Sequence, residues 1–141
     1  MKKLVALLFI AFLVLSLATV LGCGGTETEP SESPQEVADK YMQASIDLDV
    51  DTAYSYLSET DKETLTLDVM REEAEAAVEI MGSTDISYTV GTENIEGDKA
   101  TVEVTVTITD KESGESQELT EDLDLVKEGG EWKVYLSTME Q

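Results

Sequence analysis

The sequence predicts an α+β fold, with three N-terminal helices packed on a curved four-stranded antiparallel meander sheet. Two observations predict it. The apolar spacing follows a helical period from residue 35 to about 82, then switches to a period of two from Ser83 onward. Gly97-Asp98, Ser113-Gly114 and Gly129-Gly130 each fall between alternating runs, where hairpin turns belong.

The helices come first. Val37, Tyr41 and Leu48 share one face, with Ala38, Met42 and Ser45 beside it, and Ser33 or Pro34 starts the helix. The pattern breaks at Leu48-Asp49-Val50-Asp51. A short second helix then turns Ala53, Tyr54 and Leu57 inward. Ser58-Glu59-Thr60-Asp61 makes the next break, with Thr60 or Asp61 capping a third helix that runs to about Met81. Leu65, Leu67, Val69, Met70, Ala74, Ala76, Ala77, Val78, Ile80 and Met81 give this helix a broad apolar stripe, and Gly82 is a natural stop.

The strands follow. Ile86, Tyr88 and Val90 alternate with polar residues, and Gly91 marks a bulge or bend. Ala100, Val102, Val104, Val106 and Ile108 alternate with Thr101, Glu103, Thr105, Thr107 and Thr109, the clearest strand in the chain. Leu119, Leu123 and Leu125 define a third strand, and Trp132, Val134 and Leu136 a fourth. Consecutive hairpins make a meander whose apolar face packs on the helices while the other faces water.

The N-terminus predicts the compartment. Lys2 and Lys3 precede an uncharged, apolar run from Leu4 to Leu21, the layout of an export signal. A retained transmembrane helix is the alternative, because the run approaches the about 20 residues that a span needs. The run ends in Val20-Leu21-Gly22-Cys23, which resembles the lipobox of prokaryotic lipoproteins. That resemblance implies a leader at 1–22, removed by a peptidase, and a diacylglyceryl group on Cys23 that anchors the protein to the outer face of a membrane. Leu21 departs slightly from the Ala or Ser commonest at its place. Cys23 is the only cysteine, so acylation also removes an otherwise oxidisable thiol. Residues 24–34 are Gly, Ser, Thr, Pro and Glu, a composition that predicts a disordered tether reaching at most about 35–40 Å. The domain is then expected at 35–141.

Charge narrows the partners. With 31 acidic and 9 basic residues, the net charge is −22, and losing Lys2 and Lys3 deepens it. Nucleic acid and anionic lipid would be repelled. Either an ordinary acidic surface or a saline habitat accounts for the excess.

At Leu48–Ser58 the short acidic turn followed by Ala53-Tyr54-x-x-Leu57 resembles small nuclear-transport-factor-2-like (cystatin-like) domains. Val126-Lys127-Glu128-Gly129-Gly130-Glu131-Trp132-Lys133-Val134 resembles their last hairpin. The similarity is greatest to small prokaryotic lipoproteins that carry such a domain. It implies a strongly curved sheet wrapped around a helix as a cone with a cavity. The superfamily includes isomerases, dehydratases and non-catalytic binding domains, so the fold does not choose a function.

The residue inventory excludes several chemistries. There is no histidine, which removes histidine triads, His-ligated zinc and the commonest general base. No Gly-rich phosphate loop is present, and no cofactor is expected. Asp47-x-Asp49-x-Asp51 opens like a calcium loop, but Thr52 stands where Gly is needed and Ser58 where the bidentate Glu is needed, so a capped turn is expected and no metal site. Glu121 is the one carboxylate sharing strand parity with Leu119, Leu123 and Leu125, and with Tyr54 it is the catalytic candidate. Such a base beside a phenol donor could move a proton next to a carbonyl. Tyr41, Tyr88 and Trp132 are the ligand-binding candidates; a core anchor is the alternative role for Trp132.

Three functions remain. The favoured one is an extracytoplasmic, membrane-anchored, non-catalytic domain binding an apolar small molecule or an envelope protein. The second is a proton-transfer enzyme of isomerase or dehydratase type. The third is an envelope spacer. A small-molecule site requires an open cavity of roughly 300 Å³ or more.

Overall fold

The computed structural model describes residues 31–136. The expected leader, the Cys23 anchor and most of the tether lie outside the described residues, as do residues 137–141. Four helices, α1 (Pro34–Ile46), α2 (Val50–Tyr56), α3 (Glu59–Thr64) and α4 (Leu67–Ser83), precede strands β1 (Thr84–Glu96), β2 (Lys99–Asp110), β3 (Ser116–Glu128) and β4 (Glu131–Val134). The strands form one sheet in the order β1-β2-β3-β4, antiparallel throughout. This is the expected meander behind N-terminal helices.

Local chemistry explains each boundary. Ser33 caps α1: its side chain accepts from the Glu36 N–H, and the Glu36 carboxylate accepts from the Ser33 N–H. That reciprocal pair, with Pro34 at the first helical position, satisfies two otherwise orphaned donors. Asp49 caps α2, accepting from the Thr52 N–H. Between these helices Leu48 takes φ 56°, a left-handed conformation uncommon for a side chain of its size.

The third helical segment departs from the sequence reading in three ways. It divides into α3 and α4, because Leu65 adopts an extended conformation and the Thr66 hydroxyl accepts from the Val69 N–H, starting a new helix. The cap of α3 is Ser58 rather than Thr60 or Asp61. Gly82 does not stop α4, which runs through Ser83 and passes directly into β1. The apolar stripe of α4 is also narrower than its composition suggests. Val78 is 55% exposed and Ile80 63% exposed, and no residue of the helix is fully buried. A helix presents one face to its neighbour, and here Met70, Ala74 and Ala77 face Ala44, Leu48 and Ala53.

Turn chemistry closes the hairpins. Gly129 and Gly130 both take positive φ (60° and 91°), which a two-residue hairpin between Glu128 and Glu131 requires. At the β2–β3 turn the Asp110 carboxylate accepts from the N–H groups of Glu112 and Ser113 and from the Ser113 hydroxyl. These bonds, the Ser113 pair foremost, hold the Asp110 carboxyl below its ordinary range. The β1–β2 register shifts between Val90 and Glu93, so Gly91 does sit at a bulge.

The core lies between α1 and the concave sheet face. Val37 and Ala38 meet Val102, Val104, Leu123, Leu125, Trp132 and Val134, all with little or no exposure. Leu57, fully buried, forms a parallel bridge to Val134 that ties the α2–α3 junction to β4. The convex face is polar, with hydroxyl pairs Thr105–Thr120 and Thr109–Ser116, each at 2.8 Å. Towards the β2–β3 turn the concave face loses its cover. Ile108 is 40% and Leu119 53% exposed.

Candidate functional site

The register of β2 and β3 assembles the site. Val106 lies opposite Leu119, Val104 opposite Glu121, and Val102 opposite Leu123. Because side chains alternate along a strand, all six share the concave face. From α1, Tyr41 and Met42 approach the same face, and Leu136 closes it after β4. Together with Val104, Val106, Leu119, Glu121, Asp122 and Leu123 they line a cavity of about 200 Å³ at the edge of the helical cover. Its wall is aliphatic and aromatic apart from the two carboxylates. Glu121 is exposed to water.

Burial, opposed by a hydrogen bond with Ser45 and reinforced by the charge of Asp61, raises the Tyr41 phenol above its usual pKa. Tyr41 therefore enters the cavity as a neutral phenol at physiological pH.

The other sequence candidates lie elsewhere. Trp132 is a core residue, 6% exposed, with the Lys127 ammonium 5.4 Å from its ring centroid. Tyr54 packs against the core from α2, with the Lys62 ammonium 5.5 Å from its ring. Tyr88 joins β1 to α1: its hydroxyl meets the Asp39 carboxylate at 2.9 Å, the Asp39 carbonyl at 3.1 Å and the Gln43 side chain at 3.3 Å. The structure thus brings Tyr41 and Glu121 together and separates Tyr54, Tyr88 and Trp132 from them.

Tyr88 carries a pH signature. Burial first, then the hydrogen bond and charge of Asp39, push its pKa up to about 12. A phenol raised in the fold contributes stability that is complete below its unfolded pKa of about 10 and disappears as pH rises towards the folded value. Tyr88→Phe is expected to remove the last phenolate step from an ultraviolet titration of the folded protein. An unchanged last step would show that Tyr88 is not this clamp.

The three aspartates of the calcium-like run point to separate partners. Asp47 accepts from the Gln43 side chain at 2.7 Å, Asp49 caps α2, and Asp51 pairs with Arg71 at 2.7 Å. Among the described residues no group of three or more His, Cys, Asp or Glu is placed to hold a metal ion.

Sequence reasoning missed the buried polar pair beside the cavity. Asp61, 3% exposed, accepts the Ser58 hydroxyl at 2.5 Å and the Leu136 N–H at 3.0 Å. Ser58 also accepts from the Asp61 N–H at 3.1 Å and donates its own N–H to the Val134 carbonyl at 2.8 Å. The Ser58-x-x-Asp61 spacing was the available signal, because it is a variant of the capping box. Its role in fixing Leu136, a wall of the cavity, depends on a contact far apart in sequence.

This architecture has relatives. Residues 33–139 match the family described as the NTF2-like N-terminal transpeptidase domain. The chain belongs to that family. The match begins within two residues of the expected domain start and covers all eight elements. Several solved NTF2-like and related structures share the fold of this NTF2-like domain. One is a putative NTF2-like transpeptidase from Campylobacter jejuni, at 18% identity and TM-score 0.53, covering 74% of this chain and 99% of that one. Another is a SEC-C motif containing protein from Rhodopseudomonas palustris, at 21% identity and TM-score 0.57, covering 73% and 75%. A third, from Nostoc punctiforme, is a protein of unknown function with a cystatin-like fold, at 13% identity and TM-score 0.51, covering 74% and 89%. At these identities the likeness concerns the fold alone. No curated protein sequence matches the chain.

Proposed function

We propose that this protein is an exported lipoprotein, held to the outer face of a cell membrane through a diacylglyceryl group on Cys23, whose NTF2-like domain is a non-catalytic module that binds a protein partner. The observation that carries the binding reading is the size and lining of the concave opening. A cavity of about 200 Å³, walled mainly by aliphatic side chains with Tyr41, Glu121 and Asp122 beside them, is smaller than the roughly 300–1,000 Å³ of sites that enclose a small molecule. It suits an apolar side chain presented by another polypeptide. The acidic excess, 31 acidic against 9 basic residues over the whole chain, keeps such a domain away from anionic surfaces.

The location rests on the sequence: Lys2-Lys3, the apolar run to Leu21 and Gly22-Cys23. A single lipidated cysteine and a short polar tether would present the domain close to the membrane while leaving it free to turn.

The proton-transfer alternative retains one supporting feature, since Tyr41 and Glu121 line the same cavity. Glu121 is open to water, whereas a carboxylate acting as a cavity base works where water is excluded.

Fractionation tests the anchor. The protein is expected in the membrane fraction, released by detergent but not by high salt, and labelled by radioactive palmitate in its native type of host. Cys23→Ser is expected to abolish the label and block leader removal. Equal labelling of Cys23→Ser would sink the lipoprotein reading.

A further inference from the structure

We infer that one flank of α4, along Val69, Glu73, Ala76 and Ile80, is a docking surface for a basic amphipathic helix of a partner protein. This flank shares no lining residue with the concave opening, so it goes beyond the binding reading above.

α4 is long and thinly covered. Its 17 residues make a helix about 25 Å long, and none of them is fully buried. Where Met70, Ala74 and Ala77 face Ala44, Leu48 and Ala53, the mostly small side chains leave a trough of about 210 Å³. Glu73 lines that trough and is itself exposed, so it stands at the lip. Arg71 holds the opposite flank of the helix, where its guanidinium meets the Asp51 carboxylate of α2 at 2.7 Å.

Beside the trough the helix presents apolar side chains to water. Residues three and four apart are neighbours on a helix, so Val69, Glu73, Ala76 and Ile80 form one stripe. Val69 is 41% exposed, Ile80 is 63% exposed, and Ala76 is exposed too. Valine and isoleucine are poorer helix formers than alanine or leucine, so helix propensity does not account for them here. A helix laid along this stripe would cover both and could seat a side chain in the trough.

Charge selects the occupant. Glu72 and Glu79 border the stripe, each three or four residues from its members, and Glu73 lies within it. None of these three glutamates takes part in an ion pair among the described residues. Arg71 is the only basic residue between Lys62 and Lys99. A second copy packed through the same flank would set glutamates against glutamates, which is destabilising. Residues 4–30 and 137–141 contain no lysine or arginine, so those parts of the chain lack the complementary charge as well. A partner helix with an apolar seam flanked by lysine or arginine supplies both complements.

The test holds the full-length protein in a nanodisc of phosphatidylcholine, with empty discs as the blank. The probe is a synthetic helical peptide with leucine along one face and lysine along the rest. Saturable one-to-one binding is the expected result. A scrambled peptide of the same composition keeps the charge and loses the apolar face, so it should bind at least about tenfold more weakly. Ile80→Asp adds a negative charge while spoiling the stripe, and it should weaken binding about tenfold. Val69→Asp reads the same stripe independently, should an altered unfolding transition show that Ile80→Asp disturbs the fold. Glu72→Lys with Glu73→Lys should also weaken binding about tenfold, whereas Glu112→Lys with Glu118→Lys, the same charge change elsewhere, should stay within about twofold. Equal or tighter binding by both Asp variants, or equal losses from the two lysine pairs, would reduce the interaction to bulk charge attraction and overturn the inference. Absence of saturable binding would overturn it as well.

Discussion

Trp132→Ala is expected to lower the stability of the domain by about 3–5 kcal/mol, the cost of removing a large aromatic side chain from a packed core. The ring is 6% exposed and belongs to the same buried cluster as Val37, Val102, Leu125 and Val134. It also lies across from Lys127, whose ammonium sits over it, a contact worth about 0.5–1 kcal/mol at an exposed position. Against a typical total of about 5–15 kcal/mol, the loss is a large fraction of the whole. Urea denaturation followed by circular dichroism measures it, because the substitution removes the only tryptophan. Trp132→Phe should recover much of the difference. A ligand platform would behave otherwise, since its alanine variant would keep its stability and lose only binding.

Asp61→Ala is expected to cost about 2–4 kcal/mol through a different mechanism. Its carboxylate accepts from the Ser58 hydroxyl and from the Leu136 N–H in a place that water hardly reaches. Alanine would leave both donors without that acceptor, and a buried unsatisfied donor carries its full desolvation penalty. Asp61→Asn keeps an acceptor oxygen and should cost less. Fluorescence of Trp132 reports the unfolding in both variants. The consequence reaches the cavity, because Leu136 is one of its walls. Retained stability in Asp61→Ala would mean that the α3 cap and the chain after β4 are not coupled as described.

The contrast between what could and could not be read in the sequence follows from the range of the interactions. The alternation from Ala100 to Ile108 was legible because a strand buried on one side writes its pattern into neighbouring residues. The start of α1 was legible at Ser33 and Pro34 for the same local reason. The division of α3 from α4 was less visible, because the apolar spacing continues across Leu65 and Thr66 while the backbone does not. Val78 and Ile80 look like core in the sequence, and only the placement of α4 against α2 leaves them outside.

Site residues were harder still. Parity identified Glu121 as inward-facing, and it does line the cavity with Tyr41. Whether it would be dry depended on how far the helices extend over β3, which no local pattern records. Tyr88 has the composition of a ligand contact, yet the Asp39 and Gln43 side chains of α1 take up its hydroxyl. Asp61 was legible as a helix-start residue but not as the acceptor for a backbone N–H 75 residues away.

The central claim is that the concave opening, about 200 Å³, is too small to enclose a small molecule. Native mass spectrometry of the protein purified from the membranes of its own host tests it most directly. The account predicts the mass of the lipidated chain alone. A small molecule retained in stoichiometric amount would contradict it.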